Sequence, residues 1–395
     1  MTGSRLLPLL ILMVLFSPLA IDIFLPALPV MAESLAVSVD TMSWSITVFL
    51  LALGVGQLIS GPLADKYGRK PIALVGIVIY GLSSALVIFA STIELILFAR
   101  LLQGLGACAI VVAAFACVRD RYNAIQSGIM YSYLNGAICC IPALAPLLGN
   151  ALTTYFGWRS NFEFMAGYAV FAGIIIAFAL KETQEPTNKA EVKLLDAKAY
   201  SLIIRHPVFL FNASVVMLAM AVIIAYVTSA PGWLMVNLGL DREGFVFWFS
   251  INALFNIAAC LLAPKALLKW GPRPTIGFGM LTLISSGLVM ATLLQWEHPA
   301  GFMIPIMMSS VGFSLIMGSC AGQALAPFGD KAGSASALLG LAQMTGASVI
   351  VGVLQLTGLN AAEQLIILML SLFPMYCLYK NSSVKKKITF VDIAD

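Results

Sequence analysis

Long apolar runs separated by short polar segments make up most of the chain. A helix of about 20 apolar residues spans the hydrocarbon core of a bilayer. Helices are expected throughout, because in lipid each backbone N–H and C=O group must find its partner within the segment. The pattern predicts twelve spans, at residues 6–31, 42–63, 72–91, 94–117, 127–152, 161–180, 207–231, 244–264, 275–294, 301–325, 333–357 and 361–379.

One longer polar segment, "KETQEPTNKAEVKLLDAKAYSLIIR", divides these spans six and six. We therefore predict an all-α integral membrane protein with twelve transmembrane helices in two pseudo-symmetric six-helix bundles. The predicted parts are an N-terminal bundle (1–181), a linker (182–206), a C-terminal bundle (207–380) and a tail (381–395). The first run is too long for the apolar core of a signal peptide, so we expect it to be a retained span.

The two halves resemble each other. "GPLADKYGRKP" follows the second span and "PKALLKWGPRP" follows the eighth. Aligning Gly68 with Gly271 matches the two segments, except that the acidic residue Asp65 falls on Leu268. Two similar halves are typical of secondary transporters, in which the binding site lies near the midplane between the repeats.

Composition supports a membrane protein and excludes several functions. The chain is 61% hydrophobic and 10% charged, whereas soluble domains contain about 25% charged residues. Its net charge of +4 does not indicate a nucleic-acid partner. The seven cysteines fall within predicted spans and are expected to pack as small core residues. Without a metal-ligand pattern or a GxxxxGK[ST] loop, we predict no cofactor, no ATP drive and no enzyme activity.

Charge also orients the spans. Nearly all of the 22 Lys and Arg residues lie in loops on one side, which we call the basic face, and the opposite loops hold only Arg159 and Arg242. Basic residues collect in cytoplasmic loops. We therefore expect the basic face, both termini and the linker to be cytoplasmic.

Two charged residues lie deep within predicted spans, Asp22 in the first and Arg100 in the fourth. Each costs about 2.5–3.5 kcal/mol to insert at a helix centre. At about 1.5 Å per residue they lie about 13 Å and 9 Å from the side opposite the basic face, so they could share a layer. Pro18, Pro26 and Pro29 predict a broken first helix that can bend.

Two interpretations of Asp22 and Arg100 stay open. They could form a structural pair that neutralises itself. Alternatively, Asp22 takes up and releases a proton during transport while Arg100 supports it. Burial favours the neutral carboxyl and a nearby cation favours the carboxylate, so a site that alternates between wet and closed could switch between the two.

Polar and small residues elsewhere predict a gate and close helix packing. We expect Asp65 to lie in a loop of about eight residues, near Arg69, Arg119 or a helix N-terminus of the other half. Gly68 permits a tight turn there. Small residues and prolines in spans four and five are expected to let helices approach closely and, in span five, to bend the helix. These packing candidates are Gln103, Gly104, Gly106, Pro142, Pro146 and Gly149.

These segments resemble the twelve-helix drug:proton antiporters of the major facilitator superfamily, and within them the Bcr/CflA group. The similarity lies in "GPLADKYGRK", "RLLQGLGA", "NGAICCIPALAPLLG" and "IDIFLPALP". It implies that Asp22 and Arg100 couple transport to protons. It also implies a gate motif formed by Gly61, Asp65, Gly68, Arg69, Lys70 and Arg119. One departure is Ala145-Pro146, where the family's antiporter motif has Gly-Pro.

We expect a monomeric exporter of lipophilic drugs, such as chloramphenicol-like antibiotics, in the bacterial inner membrane. It would exchange drugs for protons by alternating access, with the bilayer as its only other partner. Soft and aromatic side chains suit varied apolar ligands, although ordinary helix packing is the simpler explanation for each of them. These cavity candidates are Phe24, Tyr131, Asn135, Met217 and Tyr226. The alternatives are a carrier for one small metabolite and a membrane scaffold that does not transport.

Overall fold

The computed structural model describes residues 3–122, 124–183, 197–293 and 295–381, together with Ile388. Within these residues, twelve helices are long and apolar enough to cross a membrane, in agreement with the predicted number. We number them as spans one to twelve: Leu6–Ser34, Val39–Tyr67, Arg69–Ile88, Ile93–Arg121, Tyr133–Phe156, Ser160–Ala179, Pro207–Asn237, Arg242–Trp270, Pro272–Leu293, Pro299–Phe328, Ser334–Gln355 and Ala361–Lys380.

Several spans are not uniform helices. Span one consists of helices Gly3–Val14, Phe16–Asp22 and Leu28–Ser34, with a 3₁₀ turn at Leu25–Ala27. π-helical turns, which often occur at functional sites, end span seven and interrupt span eleven. The remaining segments are Ala124–Phe156, which includes span five; Ala197–Ile204; Pro207–Pro231 and Gly232–Asn237; Pro299–Leu325 and Ala326–Lys331; Ala332–Leu341, Ala342–Gly346 and Ala347–Gln355; Ala361–Leu370 and Leu372–Lys380.

The predicted loop after span two is wrong. The helix continues to Tyr67 and the next begins at Arg69, so Gly68 alone separates them. Gly68 has a φ of 104°, a region that favours glycine because it lacks a Cβ atom. The polar residues of "LADKY" are compatible with a helix, so the chain stays helical until this glycine turns it. Asp65, Arg69 and Lys70 of the predicted gate motif therefore lie on two helix ends and not in a loop of about eight residues.

The helices form two compact units. Unit 1 comprises Met1–Leu195 with Asp241–Ser250, and unit 2 comprises Asp196–Leu240 with Ile251–Asp395. The first turns of span eight thus belong with unit 1. Ser250 in that segment donates a hydrogen bond of 3.3 Å to the Ala143 carbonyl of span five. The predicted linker and tail lie partly outside the described residues.

The same local features recur in both halves. Gly271 has a φ of 76° and alone separates spans eight and nine, as Gly68 separates spans two and three. A methyl group added at Gly76 would lie 2.7 Å from the Gly106 carbonyl oxygen. One added at Gly279 would lie 3.0 Å from the Gly312 carbonyl oxygen. The same glycine contact thus joins spans three and four and spans nine and ten, which supports the internal repeat read from the sequence.

Glycines in span four allow the close contacts that the sequence predicted. A methyl group at Gly106 would lie 2.9 Å from the Tyr80 nitrogen of span three. One at Gly104 would overlap the Phe49 carbonyl oxygen of span two and lie 2.9 Å from Ala52 Cβ. Because backbone atoms form these contacts, a side-chain rotation cannot relieve them.

We expect Gly104→Ala to destabilise the protein, because overpacking a tight contact typically costs about 1–3 kcal/mol. A thermal melt of the purified protein in detergent measures the loss. Gly167→Ala is the matched control, since a methyl group at Gly167 has no neighbour within 4 Å. Equal melting temperatures for the two variants would contradict the packing role of Gly104.

Candidate functional site

Asp22 ends a helix in the middle of span one. Its own helix is Phe16–Asp22, and the residue four positions later is Pro26. Proline has no N–H group, so the Asp22 carbonyl cannot receive the usual helical hydrogen bond. The predicted break in span one is therefore present, directly after the acid. The Asp22 side chain is buried, with 4% of its surface exposed.

Asp22 and Arg100 do not form an ion pair in this structure. Within the described residues, no Lys or Arg nitrogen lies within 4.0 Å of the Asp22 carboxylate. Arg100 is fully buried, and it too has no carboxylate within that distance among the described residues. An unpaired buried charge is costly. The interpretation of a permanent structural pair is not supported in this conformation.

Directed contacts hold the Arg100 guanidinium in place. Its Nε donates to the Ser45 carbonyl at 3.1 Å, and its Nη1 donates to Gln103 Oε1. The rings of Phe24 and Phe49 lie 4.8 Å and 4.5 Å from its Cζ atom. Cation–π contacts of this kind favour a flat, delocalised cation over a compact one. Arg100 Nη2 has no hydrogen-bond partner among the described residues.

Gln103 has a second role besides helix packing. Its Nε2 donates to Ser84 Oγ of span three at 2.8 Å, while its Oε1 accepts from Arg100. Ser84 in turn donates to the Tyr80 carbonyl at 2.7 Å. A buried network of this kind fixes side-chain orientation. Gln103 therefore orients Arg100, a function that its place in a glycine-rich segment did not reveal.

A second cluster lies where span two ends at the basic face. Arg69 binds Asp65 at 2.5 Å and Asp120 at 2.9 Å, and only 6% of its side chain is exposed. Arg119 lies 4.0 Å from the same Asp65 oxygen. The predicted neighbours of Asp65 are thus in place. Arg69 is buried between two carboxylates and not exposed at the basic face.

Glu182 binds the turn at Gly68. Its carboxylate accepts backbone hydrogen bonds from Arg69 at 3.0 Å, Lys70 at 3.1 Å and Thr183 at 2.9 Å. Two of these N–H groups lie at the start of span three, where a negative charge is favourable. A methyl group at Gly68 would lie 2.6 Å from Glu182 Oε2, so glycine also leaves room for this carboxylate.

Sequence reasoning missed both Asp120 and Glu182 as site residues. Asp120 lies between two arginines in "VRDR", and Glu182 lies in "KET" after span six. Asp120 and Glu182 each lie next to basic residues at the end of a span. An acidic residue in such a basic segment is the signal that could have identified them. Together with Asp65 and Arg69 they form what we call the basic-face cluster.

Span five packs against the break in span one. A methyl group at Gly149 would overlap the Ile23 carbonyl oxygen, so only glycine fits there. The helix Ala124–Phe156 runs through Pro142 and Pro146 without interruption, and the bend predicted at these prolines stays a prediction. The remaining motif glycine, Gly61, has open space around it.

The cavity candidates in unit 1 have different environments. Phe24 is fully buried, and its ring centroid lies 5.5 Å from that of Phe162 in span six. Asn135 is exposed. The side chain of Tyr131 lies outside the described residues. Phe24 therefore supports Arg100 in this conformation and does not line an open surface.

In unit 2, Tyr226 is buried and its ring centroid lies 6.5 Å from that of Phe302. Met217 packs on the π-helical turn of span eleven. A methyl group at Gly346 would lie 2.6 Å from its sulfur atom. A flexible methionine against an irregular helix is a contact that can repack when a ligand binds.

Comparisons with known proteins agree with this architecture. The model of the Major Facilitator Superfamily matches residues 10–351. The chain is 32% identical to multidrug resistance protein MdtL of Klebsiella pneumoniae (strain 342), over 90% of this chain and 89% of that protein. MdtL of Citrobacter koseri gives the same identity and coverage.

Solved structures show the same fold at low sequence identity. A D-xylose–proton symporter superposes with a TM-score of 0.80 at 14% identity, covering 94% of this chain and 97% of that one. The human organic anion transporter MFSD10 (TETRAN) gives 0.69 at 16% identity, covering 95% and 100%. The predicted fold class is confirmed, and the chain belongs to the Major Facilitator Superfamily.

Proposed function

We propose that this protein exports lipophilic drugs in exchange for protons. The observation that carries the proposal is Asp22, a buried acid at a helix break with no cation beside it among the described residues. The chain's similarity to MdtL multidrug resistance proteins over 90% of its length supports drugs as the cargo.

The proton chemistry follows from the environment of Asp22. An ionised carboxylate without a partner is costly in an apolar interior, whereas a protonated one is neutral. When the site opens to water, the water molecules solvate the carboxylate. The ionised form is then no longer costly, and the proton can leave. Transport is coupled to protons because the closed conformation is most stable when Asp22 is protonated. We place the protein in the bacterial inner membrane as a monomer, with both termini on the cytoplasmic side.

Proton flux in proteoliposomes tests this function. We expect several unrelated lipophilic compounds each to drive proton movement through the purified protein. Movement driven by one polar solute only would instead identify a carrier for a single metabolite. No movement with any compound would contradict proton exchange and leave a scaffold or an uncoupled carrier.

Asp65→Asn should slow turnover more than it weakens drug binding. Asp65 is 45% exposed, and Arg69 has a second carboxylate partner, Asp120, at 2.9 Å, which should hold it when the Asp65 charge is lost. The substitution should therefore leave the fold intact and change only the balance between conformations. Export rates and detergent binding affinities, measured on the same preparation, separate the two effects.

Lys66→Gln is the matched control for this experiment. Lys66 is exposed on the same turn of helix and touches the Tyr67 ring, not the basic-face cluster. We expect near wild-type turnover. A large loss of drug affinity in Asp65→Asn, with an unchanged conformational rate, would count against the gate.

A further inference from the structure

The break in span one leaves a backbone oxygen without its helical partner. The Ala27 N–H group, which would bond to the Ile23 carbonyl in a continuous helix, instead bonds to the Phe24 carbonyl at 2.9 Å. Within the described part of the chain, no N–H or O–H group donates to the Ile23 oxygen. This oxygen is directed at Gly149 of span five. A Cα–H contact from glycine is a weak substitute for a full hydrogen bond.

A second oxygen without a partner lies beside the first. Asn161 of span six is fully buried, and its Oδ1 has no hydrogen-bond partner among the described residues. Its Nδ2 donates to Thr153 Oγ1 at 2.8 Å and to the Trp158 carbonyl at 3.1 Å. Turning the amide over would put Oδ1 against the Trp158 carbonyl, so these contacts fix its orientation.

The two oxygens lie near one point. Both are within 3.3 Å of the position that a Gly149 Cβ atom would occupy, which places them at most about 5 Å apart. Two acceptors this close repel each other in a low dielectric unless a donor lies between them. Hard cations typically take six or more oxygen ligands, more than these neutral groups provide. A water molecule needs only about two to four polar partners and can donate one hydrogen bond to each oxygen.

We propose that a buried water molecule bridges the Ile23 carbonyl and Asn161 Oδ1, and that Asp22 exchanges its proton through it. The role of Asp22 in this proposal rests on the proposed proton coupling. Asp22 immediately precedes Ile23, and both its helix, Phe16–Asp22, and the 3₁₀ turn Leu25–Ala27 pack against the helix Ala124–Phe156, which includes span five. Gly149 lies seven residues before Phe156, the end of span five away from the basic face, about 10 Å at about 1.5 Å per residue. Asn161 is thus a positioning residue that holds the water.

Asn161→Leu tests the role of this water in transport, because leucine keeps the size of the side chain and removes the acceptor. We expect drug-driven proton flux in proteoliposomes to fall at least about tenfold, since a positioned proton-transfer partner typically contributes about 10²–10⁴-fold. The solvent deuterium isotope effect on flux should also rise above that of the wild type, because proton transfer becomes limiting.

Thr153→Val is the matched control. It removes the 2.8 Å hydrogen bond to Asn161 Nδ2, while the 3.1 Å bond to the Trp158 carbonyl still orients the amide and its Oδ1. We expect flux and isotope effect to stay near wild type. If Asn161→Leu is slow with an unchanged isotope effect, the residue is merely structural and the proton role is wrong. Unchanged flux in Asn161→Leu would also overturn it.

A density map that resolves ordered water tests the site itself, independently of proton coupling. Density between the two oxygens in wild type, and its absence in Asn161→Leu, supports the site even if Asp22→Asn shows that transport is not proton-coupled. An empty space in the wild type overturns it. Thermal stabilisation by sodium over choline in wild type, lost in Asn161→Leu, would assign a metal cation there and overturn the water.

Discussion

Asp22→Asn should reduce proton-driven drug export to background while the protein still folds and binds drug. The amide has nearly the shape of the carboxyl group but cannot take up or release a proton. Because Asp22 has no cation partner among the described residues, its loss leaves no opposite charge unpaired. The fold should therefore tolerate the substitution better than it would tolerate the breaking of a buried ion pair.

Drug-driven proton flux in proteoliposomes measures the effect, with a thermal melt to verify folding. Glu163→Gln is the matched control, because Glu163 is an exposed acid in the first turn of span six. We expect its flux to equal that of the wild type. Equal flux in wild type and Asp22→Asn would show that another group carries the proton.

Arg100→Lys should fail almost as completely as Arg100→Ala, although lysine keeps the positive charge. Arg100 makes two directed hydrogen bonds from different nitrogens and lies near two aromatic ring centroids, those of Phe24 at 4.8 Å and Phe49 at 4.5 Å. An ammonium group is a compact point charge. It cannot reproduce the fixed, planar arrangement of N–H donors of a guanidinium or stack on both rings. A hydrogen bond to a charged group contributes about 1.5–3 kcal/mol, so losing one should slow export more than about tenfold.

Export rates of the two variants, measured at matched membrane expression, show whether Arg100 acts through its directed hydrogen bonds or only through its positive charge. Near wild-type transport by Arg100→Lys, with loss only in Arg100→Ala, would mean that a positive charge at this depth is sufficient. Gln103→Leu provides an independent check. It removes the acceptor of Arg100 Nη1 without changing the charge, and we expect it to reduce export as well.

The amino-acid sequence alone determined the number of spans, the division into two halves and the family. These features follow from composition and local pattern. A run of about 20 apolar residues must cross a bilayer as a helix, whatever surrounds it. The match between the two halves was also visible in the sequence. Both turns require a positive φ angle, which favours glycine, so a glycine stands at position 68 and at position 271. The break after Asp22 was predictable, because proline at position 26 removes a donor wherever it occurs.

The tertiary structure decided which groups meet. The sequence placed Asp22 and Arg100 at similar depths, but depth does not determine the direction in which each helix turns its side chains. Packing placed the Phe24 ring, and not the Asp22 carboxylate, against the Arg100 guanidinium. Glu182 lies 113 residues from Arg69 yet accepts a hydrogen bond from its backbone.

The oxygens of Ile23 and Asn161 are the clearest example of a contact that the sequence does not predict. Nothing in the spacing of these residues brings them together, since they lie in spans one and six. They meet because Gly149 has no side chain and lets span five approach the broken backbone of span one. Span depth and helix breaks follow from local chemistry, whereas the partners of a buried polar group depend on how neighbouring helices are rotated and how closely they approach.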